Sequence, residues 1–113
     1  MNQRIAQVEI IVFKIINNKP LFLLLKRIPE RGGFWQPVTG GVHEGENLDT
    51  AAKRELFEET QITEFNNFLK DVYFFEFGSD DEGWMKEYVY GVGVNQAVDA
   101  ILSFEHSEKN GEP

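Results

Sequence analysis

A glycine-rich turn over residues 40–46 (GGVHEGE) leads directly into a helix that carries acidic residues among apolar ones. Because each residue of an α-helix advances about 100°, one apolar stripe runs from Ala51 through Leu48 and Ala52 to Leu56. Glu55 and Glu59 fall about 20° to either side of Leu48, in the middle of that stripe. The pattern therefore predicts a helix that places carboxylates where apolar side chains are expected.

A third acid, Glu58, falls at the edge of the same stripe. Buried carboxylates without a partner are very costly, so they become protonated, pair with a base or bind a cation. The neighbouring basic residues, Lys53 and Arg54, are too few to neutralise all three glutamates. This imbalance indicates a divalent metal.

Size and composition are those of one globular domain. The chain has 113 residues, of which 42% are hydrophobic, and it contains no cysteine. Disulfides, thiolate zinc sites and a cysteine nucleophile are thereby excluded. The longest apolar runs are too short to span a membrane, and the N-terminus lacks the layout of a signal peptide. We therefore expect no membrane partner and a cytoplasmic location.

The net charge is −8, which argues against a broad nucleic-acid surface. A small anion could still bind where a metal or a few basic residues offset the field. The one compact basic cluster consists of Lys26, Arg27 and Arg31, just before the glycine-rich turn.

Periodicity and turn residues predict strands that flank one central helix. The expected strands cover residues 5–16, 21–27, 65–77 and 84–94, with short extended structure over 35–42 and a helix over 47–60. The predicted fold is a mixed α/β or α+β domain with a curved mixed sheet packed on the helix. Residues 1–106 form this single domain, and residues 107–113 form a polar tail.

The full spacing carries a family resemblance. Gly40 is followed by five residues and Glu46, and seven more residues lead to Arg54-Glu55-Leu56-Phe57-Glu58-Glu59-Thr60-Gln61-Ile62. This pattern resembles the signature of the Nudix (MutT-like) hydrolases, with Gln61 in place of the late glycine. The lead-in over residues 34–41 looks like that of members acting on nucleoside or pterin triphosphates. The resemblance covers roughly residues 5–106.

The resemblance implies hydrolysis of a nucleoside diphosphate linked to another group. It implies Mg²⁺, with Mn²⁺ as a substitute, held by three carboxylates and one backbone carbonyl: Glu55, Glu58, Glu59 and Gly40. One of these glutamates would act as base, and Arg54 would hold Glu46 or Glu58 by ion pairing. Mg²⁺ prefers oxygen ligands, which suits this set.

Other candidates carry two interpretations each. Glu105 resembles an additional ligand or base glutamate of the family, while His106 is a structural residue. His43 either contacts the substrate or lies exposed in its loop. Glu87 could face the site, but its direction on the strand is not fixed by the pattern.

Aromatic and basic residues before the turn are candidates for substrate binding. Phe34 and Trp35 either stack on a base or pterin ring or belong to the core. Lys26 and Arg27 either contact phosphates or form a solvated strand end.

Two features depart from the family pattern. Gln61 replaces a glycine suited to a left-handed helix cap, which should cost about 1 kcal/mol or change the helix end. Family members also continue with a strand and a C-terminal helix, whereas residues 107–113 offer neither. The sheet surface left uncovered predicts either a homodimer or a truncated chain.

The leading hypothesis is an Mg²⁺-dependent nucleoside triphosphate pyrophosphohydrolase, with dihydroneopterin triphosphate as a close substrate variant. Dinucleoside polyphosphates and nucleotide sugars are the next substrates. The competing hypothesis is a non-catalytic Nudix-like module that binds a nucleotide. Intact Glu55, Glu58 and Glu59 favour the enzyme.

Overall fold

The computed structural model describes residues 6–26 and 29–95, which form one sheet-and-helix unit. Its strands are β1 (Ala6–Ile16), β2 (Lys19–Phe22), β3 (Leu25–Lys26), β4 (Trp35–Gln36), β5 (Val38–Gly41), β6 (Asn67–Ser79) and β7 (Gly83–Gly93). The α-helix α1 spans Leu48–Thr60, and a short 3₁₀ helix spans Pro29–Arg31. Within the described ranges, no helix is long and apolar enough to cross a membrane.

The main sheet has five strands, and β1 lies at its centre. One edge of β1 pairs with β5 along its first half and with β2 along its second half, both antiparallel. Its other edge pairs with β7 in parallel, and β7 continues into the antiparallel pair with β6. The short strands β3 and β4 form a separate antiparallel ladder.

The core forms between α1 and one face of this sheet. Alternate residues of β1 are buried, as expected for a strand with one face on a core. They join the buried face of α1 in one apolar cluster, which includes Val8, Ile10, Ala52 and Leu56. The helix is thereby fixed against β1 and β5.

The predicted mixed α+β architecture is confirmed, with two differences in detail. The second predicted strand, over residues 21–27, is divided into β2 and β3. The hairpin between β6 and β7 is tighter than expected, because Gly78 and Gly83 pair with their neighbours instead of lying in the turn. A side chain at Gly78 would overlap the Gly83 carbonyl oxygen, which explains this glycine. The predicted boundary at residue 106, the tail and the missing C-terminal helix lie outside the described residues.

At the end of α1, Gln61 occupies the position where the family pattern has a glycine. Gln61 itself adopts the left-handed conformation, with φ of 65°, and its N–H donates to the Phe57 carbonyl at 2.7 Å. A non-glycine residue in this region carries a strain of about 1 kcal/mol. The helix therefore keeps the end that a glycine would give it.

Strand β6 contains a bulge, here called the β6 bulge and defined as residues 70–72. Leu69 pairs with Gly91 and Tyr73 with Val89, so three residues of β6 lie opposite the single residue Tyr90. Asp71 in the bulge has φ of 60°. Such bulges bend an edge strand and interrupt its ladder.

Candidate active site

Helix α1 positions the glutamates predicted to bind metal. Asn47 caps its first turn by accepting a hydrogen bond from the Thr50 N–H at 2.8 Å. On the buried face, Glu55 lies with the apolar residues and is only 4% exposed. Glu59 is half-buried, and Glu58 is exposed. The three acids thus point in related directions but differ in their contact with solvent.

Gly40 is the residue that makes room for Glu55. It lies buried on β5, and a Cβ atom built on it would overlap the Glu55 carboxylate carbon and both carboxylate oxygens. The Glu55 carboxylate therefore packs directly on the β5 backbone.

Arg54 connects the acids of the site. Its Nε and Nη2 donate to the two carboxylate oxygens of Glu46 at 2.7 and 3.0 Å. Its Nη2 also donates to the Gly41 carbonyl at 2.8 Å. Its Nη1 donates to Glu55 at 2.9 Å and to Glu58 at 3.2 Å. One guanidinium thus orients three carboxylates, through the bidentate geometry that arginine provides.

Glu46 is the most firmly held of these acids. Its hydrogen bonds from Arg54 lower its pKa from 4.5 to about 2, against the opposing effect of burial. The His43 N–H also donates to Glu46, at 2.9 Å. The hydrogen bonds that Arg54 makes with Glu46, followed by those with Glu55, raise the pKa of Arg54. The Glu46–Arg54 pair therefore stays ionised throughout the neutral and mildly acidic range.

Three of the other predicted site residues, His43, Phe34 and Trp35, have exposed side chains. The His43 side chain is exposed, with its Nδ1 3.9 Å from Glu46. Phe34 and Trp35 are 52% and 47% exposed, so they are not core residues. The strand β3 backbone places Lys26 opposite Trp35. Arg27 and Glu105 lie outside the described residues.

Two features of the site were not predicted from the sequence. The Gly41 carbonyl accepts a hydrogen bond from Arg54, and a backbone acceptor of this kind cannot be identified from residue types. Glu87 faces Gln7 and Glu9 across the parallel β1–β7 pair, where the Gln7 Nε2 donates to Glu87 at 2.6 Å. In the sequence, the only sign of this cluster is that acidic residues occur within the predicted apolar strands.

Glu87 is 6% exposed. Burial raises its pKa from 4.5 to about 7, and the neighbouring Glu9 carboxylate adds to this effect. Between these two pH values the folded state still holds a proton on Glu87 that the unfolded state has lost. The free energy of unfolding is therefore highest at low pH and falls as pH rises from 4.5 to about 7. The fall amounts to at most about 3 kcal/mol.

We expect Glu87→Gln to remove this pH dependence. The variant should gain stability relative to the parent protein as pH rises from 5 to 8, measured by urea unfolding at each pH. Glu82→Gln, in the exposed β6–β7 turn, is the matched control and should follow the parent protein. Parallel stability curves for Glu87→Gln and the parent protein would contradict the assignment.

The fold and this site together define an α+β domain whose helix presents arginine-ordered carboxylates beside a glycine-rich strand. The NUDIX domain model matches residues 6–109, and the chain belongs to this family. The resemblance noted in the sequence is thereby confirmed.

Two curated proteins match part of the chain. An octanoyltransferase of Myxococcus xanthus is 51% identical over 55 residues, which cover 49% of this chain and 15% of that protein. An RNA pyrophosphohydrolase of Pelagibacter ubique (strain HTCC1062) is 46% identical over 48 residues, covering 42% of this chain and 30% of that protein. The matched segments thus span less than a third of either relative.

The solved structures include close matches of fold. A mutT/nudix family protein from Listeria innocua superposes with a TM-score of 0.68 at 25% identity. The match covers 95% of this chain and 74% of that one. The curved mixed sheet with one packed helix is therefore the family's fold.

Proposed function

We propose that this domain is a metal-dependent pyrophosphohydrolase that cleaves a phosphoric anhydride bond in a nucleotide. The observation that carries the proposal is the Arg54 cluster, in which one guanidinium orients Glu46, Glu55 and Glu58 on the helix of the family motif. The name of the Pelagibacter ubique relative supports the same reaction type.

The residues present suit Mg²⁺ in their chemistry. The donors are carboxylate and carbonyl oxygens, which hard divalent ions prefer. Gly40 lets the Glu55 carboxylate lie against the β5 backbone, so side-chain and main-chain oxygens share one region. In the described part of the chain, no three Asp, Glu or His side chains already surround a common point.

Each residue has a distinct part in this proposal. Glu55, Glu58 and Glu59 would hold the ion, which when bound would polarise a phosphoryl oxygen and activate a water. Arg54 fixes Glu55, and Glu46 in turn fixes Arg54. One of the three helix glutamates would accept the proton of the attacking water. Phe34 and Trp35 offer exposed rings on which a base can stack.

Nucleoside triphosphates are the leading substrates, with dihydroneopterin triphosphate as a close variant, and hydrolysis gives the monophosphate and pyrophosphate. The name of the Pelagibacter ubique relative favours a second candidate, an RNA substrate. Dinucleoside polyphosphates and nucleotide sugars complete the set. Binding without hydrolysis is the competing function.

The test is a hydrolysis assay over this substrate panel, with Mg²⁺ and with the ion removed by chelation. We expect phosphate or pyrophosphate release only with Mg²⁺, and Glu59→Gln should reduce it to the metal-free level. Glu64→Gln, an exposed glutamate just after α1, is the matched control and should retain the activity. Mg²⁺-dependent nucleotide binding without turnover would replace the enzyme by a binding module.

We further propose that the domain forms a homodimer through β6. Beyond the β6 bulge, this edge strand exposes Phe75 and Phe77 by 36% and 41%, and aromatic side chains of this size are unusual on a free surface. Light scattering should give twice the chain mass of 13.0 kDa. Phe77→Lys should return the single-chain mass, and a parent protein that is monomeric at every concentration would refute the dimer.

A further inference from the structure

The β6 bulge opens a cavity that is separate from the carboxylate cluster. Its volume is about 350 Å³, and its walls include Leu48, Tyr73, Phe74, Tyr88 and Tyr90. It is lined by Leu48 in the first turn of α1, whereas Glu55 and Glu58 lie seven and ten residues later, roughly 10 and 15 Å further along the helix axis. A ligand in this cavity would therefore not contact the proposed metal site.

The walls of the cavity are aromatic, and they include the cross-strand pair Phe74 and Tyr88 just after the bulge. Phe74 and Tyr88 stack with ring centroids 5.4 Å apart and an interplanar angle of 19°. Tyr73 and Phe74 are 65% and 50% exposed, so their ring surfaces are available to a ligand. The Tyr90 hydroxyl donates to Asp49 at 2.8 Å, which fixes that ring.

The charge at the cavity is negative. Asp49 is compensated, because it accepts from Tyr90 and forms an ion pair with Lys70 at 3.2 Å. Asp71 also lines the cavity. It forms no ion pair with any Lys, Arg or His side chain of the described ranges, and its charge helps to raise the pKa of Tyr90. An anionic ligand such as a nucleotide would therefore be repelled here.

Aromatic faces together with a carboxylate are the elements that recognise organic cations. The electron-rich ring faces attract a cation within about 6 Å, and the attraction grows when the cation is desolvated. The net charge of −8 also attracts a cation to the protein over a longer range. We propose that the cavity at the β6 bulge is a second ligand site, which takes a small organic ammonium compound.

The decisive probe is choline compared with 3,3-dimethylbutan-1-ol, which has the same shape but carbon in place of the charged nitrogen. Amide NMR spectra of the metal-free protein are titrated with each compound. We expect shifts at residues 70–74 and 88–90 with choline, and an affinity roughly two- to thirtyfold above that of the alcohol. Equal affinities, or shifts confined to other regions, would overturn the proposal.

Two variants test the parts of the cavity. Asp71→Asn keeps a residue that tolerates the positive φ of 60° and should weaken choline binding, whereas Asp81→Asn removes the same charge from the distant β6–β7 turn and should not. Phe74→Leu removes one ring, and Phe22→Leu, on exposed β2, is its control. Unchanged choline affinity in both Asp71→Asn and Phe74→Leu would also overturn the proposal. Because the probe carries no phosphate, these results do not depend on the hydrolase activity.

Discussion

Replacing Arg54 by methionine should destabilise the domain by about 3 to 5 kcal/mol, the range seen when one partner of a buried ion pair is removed. The Arg54, Glu46 and Glu55 side chains are 21%, 12% and 5% exposed, so the two carboxylates would lose their counter-charge with little access to water. Chemical unfolding measures the loss.

The pKa of Glu46 gives a second readout of the same change. Without the guanidinium it should rise from about 2 toward or above 4.5, which carboxyl NMR can follow with pH. Arg54→Lys should restore the charge but only part of the stability, because an ammonium cannot bind three carboxylates and the Gly41 carbonyl in one plane.

A surface ion pair provides the control for Arg54. Lys70→Met removes the ion pair with Asp49, in which the Lys70 and Asp49 side chains are 58% and 41% exposed. This change should cost less than about 1 kcal/mol. Adding Glu46→Gln to Arg54→Met should recover part of the loss, because it removes a buried charge that has no counter-ion. An Arg54→Met protein within 1 kcal/mol of the parent would show that the cluster is solvated and of little structural weight.

Replacing Gly40 by alanine should displace Glu55 from β5. The new Cβ would occupy the position of the carboxylate, so α1 must move or Glu55 must leave its place beside Arg54. Overpacking of this kind costs about 1 to 3 kcal/mol, and the loss of the Arg54 contact adds to it. We expect both a lower free energy of unfolding and a loss of the Mg²⁺-dependent hydrolysis proposed above.

The matched control for Gly40 is Gly91→Ala on β7. There the added Cβ would lie 3.4 Å from the Leu69 Cδ1, an ordinary contact, so stability should change little. Gly40→Ala combined with Glu55→Ala should regain stability without activity, since the clash is removed together with the carboxylate. If Gly40→Ala alone folds with full stability, the close approach of Glu55 to β5 is not a feature of the molecule in solution.

Much of the local structure was predictable because it depends on neighbours in sequence. Asn47 caps α1 at the start of the helix predicted over residues 47–60, since a side-chain oxygen next to a free N–H needs no distant partner. Helical spacing alone was enough to place Glu55 on the buried side of α1. The conformation of Gln61 was left between two outcomes, and packing selected the left-handed one.

Contacts between distant elements could not be predicted in the same way. Nothing in the spacing of Arg54 and Glu46 specifies that the guanidinium also reaches the Gly41 carbonyl, because that depends on where β5 lies against α1. The parallel pairing of β1 with β7, which buries Glu87 beside Glu9, joins segments about 80 residues apart.

The amino-acid order thus establishes the acidic helix, its cap and the family to which the chain belongs, because these follow from residue type and short-range spacing. Three features arise only when distant strands and the helix come together: the contact of Gly40 with Glu55, the burial of Glu87 and the cavity at the β6 bulge. Each of them depends on distances between backbones, which local propensities do not set.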